Sequence, residues 1–339
     1  MVNLAIDDQG RPPLPWLEQP LAETLARQRG HALLLHGAAG IGTLAFGVAL
    51  AQSWLCEGHD GAPRPACGRC QSCHLVQTRL HPDLLLLMPE AARQAHAWPL
   101  AGDKPEDEGK KKPSRQIRID EIRQAIDWVA RTSSRGRGKV VVLHPAEAIN
   151  LQAANALLKT LEEPPPGTRL LLAAGDPQHL LPTVRSRCHR VALAAPTLED
   201  ARDWLAGQGV AEPEVLLAAA AGRPLDALAL AADGVAASAW RALPAAVARG
   251  QAQALAGWSV PRAVDALQKL CHDATAVSAG GAPRYFPAGS VPRGRSAQAL
   301  LGWHEALQRI ARHDEHPWHE ALLIEALVAQ GSGALTLRP

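Results

Sequence analysis

Four short apolar runs set the frame of the first half of the chain. His31-Ala32-Leu33-Leu34-Leu35-His36, Leu84-Leu85-Leu86-Leu87, Val140-Val141-Val142-Leu143 and Leu170-Leu171-Leu172-Ala173-Ala174 are continuous and rich in aliphatics. Runs of this kind predict strands buried on both faces of a parallel sheet. Between the last two, Leu151, Ala154, Leu158 and Leu161 recur at helical spacing, with Asn150 at the N-cap position. Pro164-Pro165-Pro166-Gly167 stops that helix. Strand, helix, strand is a crossover unit, and it places loop ends along one sheet edge where nucleotide sites form.

Helical patterning also covers Glu18 to Arg29, Glu199 to Leu205 and Glu214 to Ala220. Ile117, Ile119, Ile122, Ile126 and Val129 predict a short extended entry followed by an amphipathic helix. From about Trp240 to Leu337 the pattern is helical, broken by a Pro/Gly-rich stretch from Gly280 to Gly294. There Leu300, Leu301, Trp303, Leu307 and Ile310 form an apolar stripe that reads as ordinary core.

Composition narrows the picture. With 339 residues the chain has room for two or three domains and a sizeable core. A formal net charge of +2 argues against a strong global field for nucleic acid, while a local basic face stays open. The run Arg131, Arg135, Arg137, Lys139 is one such basic turn. No run approaches the length of a membrane span, and the N-terminal residues lack the form of a signal peptide, so a cytoplasmic protein is expected. The stretch Gly102 to Pro113 is charged and punctuated by Pro and Gly, as in a solvated loop.

Six cysteines in a cytosolic chain point to metal ligands or thiols before disulfides. Cys56, Cys67, Cys70 and Cys73 are spaced C-x10-C-x2-C-x2-C, which can close a tetrahedral, structural zinc site. His59 and His74 are rival ligands, and four unligated thiols are the plain alternative. Only Arg64 and Arg69 lie within this segment, a weak signal for DNA readout.

The first predicted strand runs into Gly37-Ala38-Ala39-Gly40-Ile41-Gly42-Thr43-Leu44, a P-loop pattern in which backbone N–H groups curl around phosphate at a helix start. The phosphate-binding Lys is expected where Thr43 stands, and the metal-binding hydroxyl where Leu44 stands. The loop is thus a relic, with weak nucleotide binding through the backbone alone as the competing reading. The strand at Val140 to Leu143 is followed by His144-Pro145-Ala146-Glu147, with no Asp in the first place. Glu147 reads as a solvated carboxylate at a helix start, and Ala174-Gly175-Asp176 offers no Thr or Asn after the next strand.

Ala154-Asn155-Ala156-Leu157-Leu158-Lys159-Thr160-Leu161-Glu162-Glu163-Pro164-Pro165, followed by Arg185-Ser186-Arg187-Cys188, resembles the clamp-loader branch of the AAA+ ATPases. The resemblance implies an α/β core with a parallel sheet over residues 1–193 that carries the four-cysteine zinc insertion at 56–73. It further implies a small helical lid over 194–238 and an all-helical collar over 239–339. It assigns Arg187 as an arginine finger presented to the ATP of a neighbouring subunit, with a surface salt-bridge residue as the plain alternative, and it places Arg223 where the family carries sensor-2 chemistry, with an ordinary helix-start Arg as the alternative. A chain that keeps the finger and lacks its own site fits a stator-like, non-hydrolysing member of a five-subunit ring. The implied partners are gamma/tau and delta subunits, and through the ring a sliding clamp and primed DNA. The implied cofactor is structural zinc, with no ATP held by Gly37, Gly40, Gly42 and Thr43. Two other readings stay open: an ATPase with unusual motifs, and a zinc-dependent DNA-binding module.

Overall fold

The computed structural model describes residues 3–59, 64–96, 98, 113–312 and 319–336. The chain divides into two compact units, Met1–Pro196 and Thr197–Pro339.

In the first unit a 3-10 turn, Pro15–Leu17, leads into α1 (Glu18–Arg27), β1 (Ala32–His36) and α2 (Thr43–Leu55). Next come α3 (Gln71–Gln77), β2 (Leu84–Leu87), α4 (Glu90–His96), α5 (Ile119–Val129) and β3 (Lys139–Leu143). The unit ends with α6 (Leu151–Glu162), β4 (Thr168–Ala174), α7 (Pro182–Arg185) and β5 (His189–Ala192).

The five strands form one sheet in the order β2-β3-β4-β1-β5, with every pair parallel. Leu34 stands opposite Leu172, and Val141 opposite Leu170. These residues pack with Ile122, Val129, Leu157 and Leu161 from α5 and α6. Side chains alternate across a strand, and α2 covers β1, β3 and β4 from the other face. Both faces are therefore buried, and this is why the strands read as unbroken apolar runs. The α6 helix starts as its sequence predicts, with Asn150 Oδ1 accepting from the Ala153 N–H at 2.8 Å. The short helix α4 forms where no helical pattern was legible, and residues 97 and 99–112 lie outside the described set, as does all of the charged stretch except Pro113.

Parallel pairing gives the sheet two chemically distinct edges. The carboxyl ends of β1, β3 and β4 carry Gly37 to Thr43, His144 to Glu147, and Gly175-Asp176. The amino ends carry the segments that enter β1, β3, β4 and β5, among them Arg137, Arg169 and Arg187.

The second unit contains α8 (Leu198–Gly207), α9 (Pro213–Ala219), α10 (Pro224–Ala232), α11 (Ala237–Ala248), α12 (Val260–Ser278), α13 (Ala297–Ala311) and α14 (Glu320–Ala334). One apolar cluster runs through it from Ala201 to Leu335. Leu300, Trp303 and Leu307 of the predicted stripe are buried in this cluster, Ile310 is packed against it, and Leu301 is exposed. Asp273, fully buried, accepts from the backbone N–H groups of Arg284, Tyr285 and Phe286 at 2.9, 2.8 and 3.0 Å. That holds the Pro/Gly-rich connection so that Phe286 stacks on Trp240, 4.7 Å between ring centroids. Arg223, at the start of α10, is engaged by the Ala220 carbonyl and by Asp226 at 2.9 Å. No single helix among the described residues is long and apolar enough to cross a membrane.

Candidate functional site

The loop after β1 folds as a strand-to-helix turn. Gly40 and Gly42 both have positive φ, 73° and 101°, and Gly42 is the N-cap of α2. A Cβ on Gly42 would lie 2.2 Å from Leu14 Cδ1, so a side chain from the N-terminal segment occupies the space beside the loop. The Trp16 indole N–H reaches the Ile41 carbonyl at 2.8 Å. Thr43 and Leu44 are both buried, and Leu14 is completely so. The turn thus carries two left-handed glycines at a helix start, and its neighbours Leu14, Ile41 and Leu44 bring no charge to it.

At the end of β3, His144 has its Nδ1 sealed from solvent without a partner among the described residues. Burial, and next the nearby His96, push its pKa down to about 4. Glu147 is not a solvated carboxylate. Its Oε1 accepts from the N–H groups of Gly175 and Asp176 at 2.6 and 2.8 Å, tying the end of β4 to the turn after β3. The sequence pattern missed this because the bond spans two connections of the sheet.

Arg187 lies on the opposite sheet edge. Its Nε donates to Glu162 Oε1 at 2.6 Å, and its Nη1 donates to the Thr183 carbonyl at 2.9 Å. Glu162 is the last residue of α6, so the two halves of the resembling motif meet in space. A strand of five residues spans roughly 16 Å. Arg187 therefore stands a strand length from Gly37 to Thr43 of its own chain.

The four cysteines converge. Sγ–Sγ separations are 3.5 Å for Cys56–Cys67, 3.8 Å for Cys56–Cys70 and 4.0 Å for Cys67–Cys73, and all four lie within 4.8 Å of one another. A disulfide needs about 2.05 Å. Four thiolates about 2.3 Å from a central ion stand about 3.8 Å apart, so this set fits a tetrahedral metal. Backbone N–H groups of Cys67, Cys70 and Cys73 each point at a preceding sulfur, all at 3.4 Å. Burial raises the Cys67 thiol, yet the amides of Arg69 and Cys70 and the neighbouring sulfurs outweigh it and bring it to about 6. Burial pushes Cys73 well up. The rival ligands stand aside: His59 Nδ1 is taken by Arg64 Nε at 2.9 Å, and His74 is exposed. Gly68, with φ of 71°, is fixed because a Cβ there would lie 1.8 Å from the Asp7 carbonyl oxygen.

One organising group has no counterpart among the sequence motifs. Asp83 is fully buried and accepts from Ser133 Oγ, Ser134 N and Arg135 N at 3.0, 2.8 and 2.9 Å. It thereby fixes the basic turn before β3. Arg135 then reaches Glu57, beside Cys56, at 2.6 and 3.0 Å. A carboxylate directly in front of an apolar strand was the available signal.

The described fold is a parallel α/β core with a phosphate-loop turn, a four-cysteine cluster and a motif arginine at the opposite edge. Residues 17–197 match the model of the family described as DNA polymerase III, delta subunit, and the chain belongs to that family. It is 40% identical over 226 residues to DNA polymerase III subunit delta' of Pseudomonas aeruginosa, covering 65% of this chain and 62% of the relative. To subunit delta' of Haemophilus influenzae it is 36% identical, covering 63% and 60%. To subunit delta' of Escherichia coli K12 it is 33% identical over 277 residues, covering 75% and 76%. The matches thus span about three fifths of the length of the first two relatives.

Proposed function

We propose that this chain acts as a delta-prime, stator-like subunit of a DNA polymerase III clamp loader, one that does not hydrolyse ATP and lends Arg187 to a neighbour. The observation that carries the reading is the separation of parts. A phosphate loop with Thr43 and Leu44 in place of its cation and metal hydroxyl stands on one sheet edge. An intact Ser186-Arg187-Cys188 stands on the other, out of reach of that loop. An arginine so placed serves a site in another subunit, where it stabilises charge on the γ-phosphoryl.

On this reading the partners are gamma/tau and delta subunits in a five-membered ring, acting on a sliding clamp and primed DNA in the cytoplasm. Residues 194–238 serve as lid and 239–339 as an all-helical collar. Cys56, Cys67, Cys70 and Cys73 hold structural zinc. With four protein ligands no coordination position stays open, so the metal fixes local structure and activates no water.

The test is a ring assembled with gamma/tau and delta subunits, clamp and primed DNA, using Arg187→Ala. The chain alone is expected to show no turnover. In the ring, the ATP site facing Arg187 is expected to slow by about 10²-fold or more, and total DNA-stimulated turnover falls by that site's share. Unchanged turnover in the assembled ring sinks the finger. Turnover by the chain alone sinks the non-hydrolysing reading.

A further inference from the structure

Four guanidinium groups gather in one cavity at the sheet edge where β3 and β4 begin. The cavity has a volume of about 380 Å³, within the roughly 300–1,000 Å³ range of small-molecule sites. Arg29, Arg64, Arg137 and Arg169 line it together with Trp54 and His59. They come from four separate places in the chain: the end of α1, the cysteine segment, the turn before β3, and β4. Among the described residues none of the four has a carboxylate partner. In a chain with a net charge of only +2 that is a strong local concentration.

These groups are held in place by neutral partners. Arg29 Nη1 donates to the Leu25 carbonyl at 3.0 Å, and Arg137 Nη2 to the His59 carbonyl at 2.8 Å. Arg64 Nε donates to His59 Nδ1 at 2.9 Å, and Arg169 stacks its guanidinium on Trp54, 4.3 Å from the ring centroid. Burial, and then the charge of Arg29, hold the Arg169 pKa below its usual value. Like charges are thus brought together with no carboxylate partner among the described residues and only the Cys56 sulfur of the cysteine cluster on the lining, an arrangement that a bound anion favours.

His59 positions one of the four: it is 5% exposed, its Nδ1 accepts from Arg64 Nε, and its Nε2 is sealed from solvent with no partner among the described residues. The neighbouring basic residues are already engaged elsewhere: Arg135 by Glu57, and Lys139 by the Trp128 carbonyl at 2.6 Å.

We infer that this cavity binds a phosphate oxyanion, with the forks of Arg64, Arg137, Arg29 and Arg169 as donors. A single carboxylate matches one guanidinium fork, whereas a phosphate offers several oxygens and more charge. The anion is either a phosphodiester of a nucleic-acid strand or a free phosphate. The inference is independent of the role given to Arg187.

The experiment uses the full chain with its metal retained. Fluorescence anisotropy follows a labelled single strand of about 20 nucleotides at about 50 mM salt, with sodium pyrophosphate and polyglutamate as competitors. The Arg64→Gln/Arg137→Gln double variant is compared with Arg69→Gln/Arg131→Gln, which removes equal charge from exposed positions outside the cavity. Loss of two phosphate contacts is expected to weaken the strand by about tenfold and to flatten the salt slope by about 1.4, while the control pair changes it less than about twofold. Each single variant, Arg64→Gln or Arg137→Gln, is expected to weaken it about threefold, which keeps the test readable if the double variant misfolds. If pyrophosphate binds in direct titration and the strand does not, the site takes free phosphate. If the strand binds through the cavity and pyrophosphate does not displace it, the site takes the nucleic-acid backbone. Equal losses in both double variants, displacement by polyglutamate as readily as by pyrophosphate, or no binding of either phosphate probe overturns the proposal.

Discussion

Removing the Asp83 carboxylate isolates how the basic turn is held. Asp83→Ala deletes the acceptor of three hydrogen bonds, to Ser133 Oγ, Ser134 N and Arg135 N. A hydrogen bond to a charged acceptor contributes about 1.5 kcal/mol at the low end of its range, so three sum to about 4.5 kcal/mol before solvent compensation. Ser134 is exposed and Arg135 partly so, so water recovers some of their bonding and the expected loss is about 3 kcal/mol. Asp83→Asn keeps the volume and one acceptor oxygen and should lose roughly half as much. Hydrogen exchange of the Ser134 and Arg135 amides reads the effect locally, and about 3 kcal/mol corresponds to roughly a 100-fold fall in protection. Urea unfolding of the same variants reads it globally. If Asp83→Ala stays within about 1 kcal/mol of the parent and the two amides keep their protection, the carboxylate does not organise this turn.

Further outcomes follow from the same geometry. Cys70→Ser is expected to abolish the one-metal species in native mass spectrometry, and a retained stoichiometric metal would mean that the four sulfurs are not the ligands. Gly68→Ala forces a Cβ onto the Asp7 carbonyl at a residue with φ of 71°, and should lower stability by about 2–4 kcal/mol, read as a lower thermal midpoint; an unchanged midpoint refutes the close approach. His144 is favoured neutral in the fold, so its contribution is complete above its unfolded pKa near 6.5 and is lost as pH falls toward about 4. That amounts to about 3 kcal/mol across this window. The parent and a His144→Leu variant should diverge in urea midpoint by that pH dependence, and parallel curves between these pH values would disprove it.

What was legible in the sequence follows from the range of each interaction. Strands buried on both faces must be apolar along their length, so β1 to β4 stood out as runs. Asn150 and the spacing of Cys67, Cys70 and Cys73 are local signals, because the cap and these sulfurs meet groups a few residues away. Glu147 was misread because its partners, Gly175 and Asp176, come from another connection of the sheet. The basic turn looked uniform in sequence. Only the fold divides it into Arg135, neutralised by Glu57, and Arg137, turned toward the cavity. Arg187 was visible as a motif, but its pairing with Glu162 needed α6 and the segment before β5 to meet. The Leu14 side chain beside Gly42 had no sequence signature at all.

The helix α2 is capped by Gly42 at one end and Cys56 at the other, and every residue in it except Trp54 is buried. The N-terminal segment is laced along the same span. Ile6 exchanges bonds with Gln52 at 2.6 and 3.1 Å, Asp7 abuts Gly68 at the sulfur end, and Leu14 and Trp16 seat against Gly42 and Ile41 at the loop end. Helix and strap together make a braced rod about 20 Å long, with thiolate chemistry at one tip and a phosphate-type turn at the other. The cysteine cluster and the glycine turn are thus the two ends of one buried helix, and the segment from Ile6 to Trp16 touches both.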